Sequence, residues 1–315
     1  MWLVVLLFVL GIILIVKGGD YFVDASVWIA DALNVPKFLV GATIVSIATT
    51  MPEMLVSIFA AIDKMPDMSV GNAVGSVTAN IGLIMSISII AMPAAVKRGE
   101  ITVKGFLMLF SALMLILFAK DGYLSVAEAS IILAVFVIYM TDTVISAKKL
   151  MGTSSNGVNT SKKEIAVNIF KFIIGITAIV LGAQLLVDNG SEIARRFKVP
   201  EGIIAVTLIA IGTSLPELVT TISAVVKKQS SLSVGNIIGA NIIDITLIMP
   251  LCSLIYRGKI PISQQTVSLD LPVCIGVIML AVIPTVITGK FKRWQGIVMG
   301  ALYAAYIVVM CITLR

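Results

Sequence analysis

Apolar positions along the chain come in long runs, and polar positions gather in short breaks between them. The runs predict helices over 2–29, 37–62, 68–94, 101–119, 123–146, 164–194, 200–226, 232–255, 269–288 and 294–313. Most approach or exceed the about 20 apolar residues that a helix needs to cross a bilayer. One break differs in kind. "SAKKLMGTSSNGVNTSKKE" at 146–164 is polar, rich in Ser, Asn and Gly, and basic, so it reads as a linker. The expected division is a first five-helix unit over 1–146, a linker over 147–163 and a second five-helix unit over 164–315.

Composition fixes the medium. Of 315 residues, 59% are hydrophobic and 13% charged, with a mean hydropathy of +1.09. A soluble domain cannot bury that much apolar surface. The class is an all-α polytopic membrane protein with the lipid bilayer as its medium. "MWLVVLLFVLGIILIV" has no basic segment before it and no small-residue cleavage site after it, and is read as a first permanent span. Cys252, Cys274 and Cys311 fall in or beside apolar runs and are expected to be small buried hydrophobes. The net charge of +6 is read as a topology signal rather than a nucleic-acid footprint.

The two units repeat. At a shift of 164 residues, 11–80 lies over 175–244 without a gap. Gly11, Gly18, Asp24, Pro36, Thr49, Pro52, Glu53, Gly71, Asn72 and Gly75 all recur. Five spans separate equivalent positions, and five is odd, so the second unit must be upside down relative to the first. Inverted repeats of this kind are the build of many secondary transporters, with the substrate near the midplane. If the N-terminus faces outward, the inner loops hold thirteen Lys and Arg and the outer segments eight, with Lys104 counted among the inner ones. That places both termini outside, the 147–163 linker in the cytoplasm and the protein in the cell membrane.

Two breaks carry the chemistry. "ATTMPE" at 48–53 and "GTSLPE" at 212–217 each put a proline and then a carboxylate inside an apolar run. Proline frees the carbonyl four residues back, on Ala48 and on Gly212. Such a carbonyl is tolerated at membrane depth only where it lines a cavity or binds something. Thr49, Thr50, Thr213 and Ser214 flank the breaks, and Glu53 and Glu217 follow them. A mid-membrane carboxylate costs at least about 2.5 kcal/mol, so two in repeat-related positions point to function. The next spans offer Asn72, Ser76 and Asn80 on one helical face, matched by Asn236, Ala240 and Asp244 with Asn241 beside them. Gly71/Gly75 and Gly235/Gly239 form GxxxG pairs suited to close packing.

The site read from these residues has Glu53, Glu217 and Asp244 for charge and Asn80 as the neutral counterpart of Asp244. Thr49, Thr50, Ser76, Thr213 and Ser214 add neutral oxygens. Oxygen donors without His or Cys suit hard cations, and six or more flexible donors favour Ca²⁺ over Mg²⁺. Three carboxylates would hold one Ca²⁺ or several Na⁺, but not both sets at once.

These residues resemble a known family. "GTSLPE", "ATTMPE" and the "SVGNxxG" that follows each are similar to the α-repeats of the sodium/calcium exchanger family, within the cation/Ca²⁺ exchanger superfamily. The ending "RWQGIVMGALYAAY" is similar to that family's last span. The resemblance implies about ten transmembrane helices in two inverted-topology repeats of five, with broken helices at the midplane. It also implies alternating access and Ca²⁺ extrusion driven by inward Na⁺. It makes Glu53, Asn80, Glu217 and Asp244 central ion ligands and Thr49, Thr50, Ser76, Thr213 and Ser214 flanking ones, with backbone carbonyls at Ala48 and near Ala210. It implies no cofactor and no protein partner beyond the transported ions Ca²⁺ and Na⁺. The 146–164 loop is too short to hold a regulatory domain.

This chain departs from the family pattern at Ala48, Thr50, Met51 and Ala240, where Gly, Ser, Leu and Ser are usual. Ala240 removes a hydroxyl from the implied Na⁺ ligand set and keeps an H⁺/Ca²⁺ antiporter as the alternative. A cation channel is a further reading. The absence of histidine excludes Ser/His and HExxH intramembrane proteases, and no deep Asp pairs with "GGD" at 18–20, so an enzyme is not expected.

Overall fold

The computed structural model describes residues 2–94, 98–151, 161–197, 212–256 and 258–313. In chain order its helices are α1 (Trp2–Leu33), α2 (Lys37–Thr49), α3 (Met51–Ile62), α4 (Pro66–Ala91), α5 (Arg98–Phe118) and α6 (Val126–Met151). Then come α7 (Lys162–Arg196), α8 (Leu215–Val226), α9 (Ser230–Tyr256), α10 (Thr266–Thr288) and α11 (Arg293–Thr313). Among the described residues, eight helices are long and apolar enough to cross a membrane, and α2 with α3 makes a ninth span bent by 46°. The expected span 200–226 is described only as α8 and the residues just before it. Most of the linker, including Ser155, lies outside the described residues.

The inverted repeat is visible in how α1 meets α7. A Cβ on Gly11 would lie 2.9 Å from the Gly182 carbonyl oxygen, and one on Gly182 would lie 2.8 Å from that of Gly11. Gly18 and Gly175 stand in the same relation, at 2.8 and 2.9 Å. Gly11 and Gly175 are repeat mates, as are Gly18 and Gly182, so the contacts exchange under a local two-fold axis. Glycine lets the two backbones approach without a side chain between them. The helices run antiparallel, which sets the Leu33 end of α1 beside the Lys162 end of α7.

The ends of α3 and α8 repeat down to the backbone. Lys64 and Lys228, 164 residues apart, adopt φ of 59° and 58°. Met65 N donates to Ala60 O and Gln229 N to Ala224 O, the six-to-one bond of a left-handed helix stop. The two turns lie on opposite faces of the membrane because the units are inverted.

Burial sorts the helices into layers. Of the apolar windows of α4 and α9, 78% and 83% is buried, against 22% and 17% in α1 and α7. The central pair thus packs on all sides while the long pair faces lipid. Gly235 and Gly239 bring α9 against Phe38 and Ala42 of α2. The mates of that contact, at 202 and 206, lie outside the described residues.

Several expectations need correction. Lys104 is not in a loop. It lies in α5, is 2% exposed and holds Asp142 of α6 at 3.1 Å. Burying a lysine at that depth without an acidic partner is costly, and the packing of α5 on α6 supplies the partner. Cys252 and Cys274 are buried, but Cys311 is exposed on α11. The all-α architecture carries one short strand pair besides. Tyr123–Ser125 (β1) pairs antiparallel with Lys259–Pro261 (β2), tying a loop of each unit together on the face opposite the linker. Lys259 sits 3.8 Å above the Tyr123 ring and Lys64 4.0 Å above that of Tyr256 on the same face.

Candidate functional site

Four helical segments meet at the centre: the α2–α3 break, the start of α8, and the middles of α4 and α9. Each middle is wound as a π-helix, over Asn80–Met85 and Asp244–Ile248. A π turn widens the helix by one residue and re-aims the side chain that opens it. Those opening residues are Asn80 and Asp244, themselves repeat mates. A third π turn, Gly41–Val45, precedes the α2–α3 break, and its Ala42 carbonyl accepts the hydroxyl of Tyr139 from α6.

The sequence-derived residues converge here. Thr49, Glu53, Asn80, Ser214, Glu217 and Asp244 are fully buried, Thr50 and Ser76 are buried, and Thr213 is half-buried. The first break bends the chain by 46° between α2 and α3. Pro52 and Pro216 open α3 and α8, and Thr50 and Ser214 are the residues that precede the new helices.

The hydrogen bonds cross between the units in reciprocal pairs. Thr50 Oγ1 donates to Glu217 Oε1 at 3.2 Å, and Ser214 Oγ donates to Glu53 Oε1 at 3.1 Å. Thr49 Oγ1 donates to Asn236 Oδ1 at 3.2 Å, and Thr213 Oγ1 to Asn72 Oδ1 at 3.3 Å. Each break is therefore completed by the other repeat. Asn72 also donates to the Glu53 carbonyl at 3.1 Å and to Ser57 Oγ at 2.9 Å, steadying the first turn of α3.

One oxygen of each glutamate is used in this way, and the other is left over. Glu53 Oε2, Glu217 Oε2, both oxygens of Asp244 and Asn80 Oδ1 are buried without a hydrogen-bond partner. Asn80 Nδ2 is occupied, donating to Asn241 Oδ1 at 3.1 Å, which leaves its oxygen as the free acceptor. The three carboxyl groups lie near enough to repel one another when all are ionised, and among the described residues none takes part in an ion pair. Buried polar groups are almost always paired, so this set of orphaned acceptors is suited to a cation. Among the described residues no three carboxylates close on a single point by themselves. A held ion would need neutral oxygens as well, and the threonines and serines at the breaks supply them.

Sequence reasoning did not single out Asn72, Asn236 and Asn241 as site residues, though it set them on the right helical faces. Their partners lie 141 to 187 residues away, and no local pattern records that. Ser76 and Ala240 are buried one turn before Asn80 and Asp244. The carbonyl near Ala210 lies outside the described residues.

A cavity of about 180 Å³ reaches the break from one side, lined by Pro52 and Val56 of α3, Ala183, Gln184 and Asp188 of α7, and Thr213. These stretches of α3 and α7 lie toward the face opposite the linker.

Comparison with known proteins bears on the same residues. The model of the family described as sodium/calcium exchanger protein matches residues 3–143 and 167–312. The sodium/calcium exchanger MaX1 of Methanosarcina acetivorans is 32% identical, with 97% of each chain covered. An uncharacterised membrane protein of Methanocaldococcus jannaschii is 33% identical over 94% of each. Among solved structures, the sodium-calcium exchanger NCX_Mj soaked with Na⁺ and Sr²⁺ superposes with a TM-score of 0.84 at 33% identity, covering 97% of this chain and 98% of its own.

Proposed function

Because the chain belongs to the sodium/calcium exchanger family, we propose that it exchanges Ca²⁺ for Na⁺ across the cell membrane by alternating access to one central site. The observation that carries this reading is the set of orphaned oxygens on Glu53, Glu217, Asp244 and Asn80, buried and, among the described residues, paired with no lysine or arginine. Three uncompensated carboxylates at membrane depth are costly. A divalent ion or several monovalent ones relieve that cost in turn, and neither set leaves room for the other. Competition at a shared site is what couples the two fluxes.

In this reading Glu53, Asn80, Glu217 and Asp244 are the central ligands and Thr49, Thr50, Ser76, Thr213 and Ser214 the flanking ones. Thr50 and Ser214 each hold one carboxylate oxygen in place, which turns the other toward the ion. Asn72 and Asn236 do the same for Thr213 and Thr49. The donors are hard oxygens throughout, as Ca²⁺ and Na⁺ require. The relatives' names and the ions soaked into the solved structures agree with this cargo.

Ala240 favours a second reading, an H⁺/Ca²⁺ antiporter, because it places a methyl where its mate Ser76 offers a hydroxyl. Radioactive Ca²⁺ uptake into proteoliposomes under imposed gradients decides between them. Uptake driven by internal Na⁺ supports Na⁺ coupling. Uptake driven by a pH gradient and indifferent to Na⁺ supports H⁺ coupling, and uptake needing no counter-gradient would overturn both in favour of a channel.

The membrane orientation follows the same proposal. Lys148, Lys149, Lys162, Lys163, Lys227 and Lys228 lie toward the linker face, which the positive-inside bias assigns to the cytoplasm. Both termini are then external, and the cavity beside Thr213 opens outward.

A further inference from the structure

The two repeats place α1 and α7 in equivalent positions, and likewise α8 and α3. The equivalent pairs pack differently. α1 lies tight on α8, where a Cβ on Gly19 would meet Ser223 Oγ at 2.6 Å and Val219 Cγ1 at 2.9 Å. α7 stands off α3, and the 180 Å³ cavity fills the gap. The mates of Gly19 and Ser223 are Ala183 and Phe59, bulkier at both positions. One face is thus shaped to close more tightly than the other.

Charge differs in the same sense. Lys227, at the end of α8, places Nζ 2.6 Å from Asp24 Oδ1 and 3.6 Å from Asp20 Oδ1 on α1, and donates to the Asp20 carbonyl at 3.2 Å. The mates of Lys227, Asp20 and Asp24 are Asp63, Gln184 and Asp188. Gln184 and Asp188 line the open cavity. Where the closed face has a lysine between two aspartates, the three mated positions on the open side hold two aspartates, a glutamine and no lysine. Closing it the same way would bring Asp63 toward Asp188, a contact that like charge opposes.

We infer that Lys227, bridging Asp20 and Asp24, is an ion-pair latch that holds shut the second access route, the repeat mate of the open cavity. The inference rests on the alternating-access reading. The mate route runs beside Val23, Asp20 and Asp24 toward the linker face, and Val23 is fully buried where its mate Val187 lines the cavity. Opening that route requires α1 to leave α8, and that movement carries both aspartates away from Lys227. The latch is partly solvent-exposed, with Lys227 at 24% and Asp24 at 55%. Exposed ion pairs of this kind bias an equilibrium by about two- to fivefold. That suffices to set which face is open at rest without blocking turnover.

The test places a single cysteine at Val23 in a chain whose Cys252, Cys274 and Cys311 have been replaced, and follows its reaction with a hydrophilic thiol reagent in detergent. Lys227→Gln is expected to raise the labelling rate about two- to fivefold over the Lys227 background. The exchanged pair Lys227→Asp with Asp24→Lys is expected to bring it back down. An unchanged rate in Lys227→Gln overturns the latch. A raised rate that the exchanged pair does not restore overturns it too, because the contribution is then packing rather than charge. Labelling does not depend on ion exchange, so this result and the transport assay fail separately.

Discussion

The hydroxyl of Thr50, in the first repeat, holds the carboxylate of Glu217, in the second, at 3.2 Å. Ser214 returns the bond to Glu53 at 3.1 Å. Neither helix break can present its glutamate correctly without the other. Removing one hydroxyl leaves a buried carboxylate oxygen unpaired, at about 1–3 kcal/mol. Thr50→Val and Ser214→Ala should each weaken Ca²⁺ binding by about tenfold and to similar extents. Calorimetric titration of the purified variants measures this, and a large effect from only one of them would contradict the reciprocal arrangement.

Glu53→Gln and Glu217→Gln should abolish Ca²⁺ exchange while the protein folds normally. Each change keeps the side-chain shape and removes a buried charge that the protein does not compensate. Thermal unfolding in ion-free buffer should therefore show equal or higher stability than the parent. Parent-level exchange in either variant would remove these residues from the site.

Ala240→Ser restores a hydroxyl one turn before Asp244. A supplied hydrogen-bonding or ligating group is worth about 0.5–1.5 kcal/mol. The Na⁺ concentration for half-maximal exchange should fall about two- to tenfold, with Ca²⁺ affinity little changed. An unaltered Na⁺ dependence would show that position 240 faces away from the ions.

Gly18→Ala puts a methyl 2.8 Å from the Gly175 carbonyl oxygen and 3.0 Å from the Ile179 nitrogen. Both neighbours are backbone, so the helices must separate rather than a side chain rotate. Over-packing of this kind costs about 1–3 kcal/mol. The variant should unfold at a lower temperature in detergent, and Gly182→Ala should behave alike because it sits at the mated contact. Gly276→Ala on α10, with nothing nearer than 3.5 Å, serves as the tolerant control.

A cysteine at Ser155, in a background without the native three, should resist a membrane-impermeant reagent in intact cells and react after lysis. Labelling of intact cells would invert the proposed orientation.

Much of this protein follows from sequence alone, for two physical reasons. A bilayer demands long apolar helices, so composition and run length fix the class. A duplicated chain keeps its Gly, Pro and acidic residues in register, so a shift of 164 reveals both the inversion and the paired Pro52–Glu53 and Pro216–Glu217 breaks. Those breaks are local: proline frees a carbonyl within its own helix, and the glutamate is the next residue. What tertiary structure decided is everything that depends on which helix lies beside which. Asn236 reaches Thr49 across 187 residues, Lys104 finds Asp142 instead of a loop, and β1 finds β2. The π turns at Asn80 and Asp244 belong here as well, since no residue pattern in "TANIGL" or "IIDITL" announces them. The difference between the two faces is the last such decision. The repeat makes the faces equivalent in sequence register, and only packing shows α1 seated on α8 with Lys227 between Asp20 and Asp24 while α7 stands away from α3. A sequence encodes both arrangements of an inverted repeat; close contact and charge select the one that is occupied.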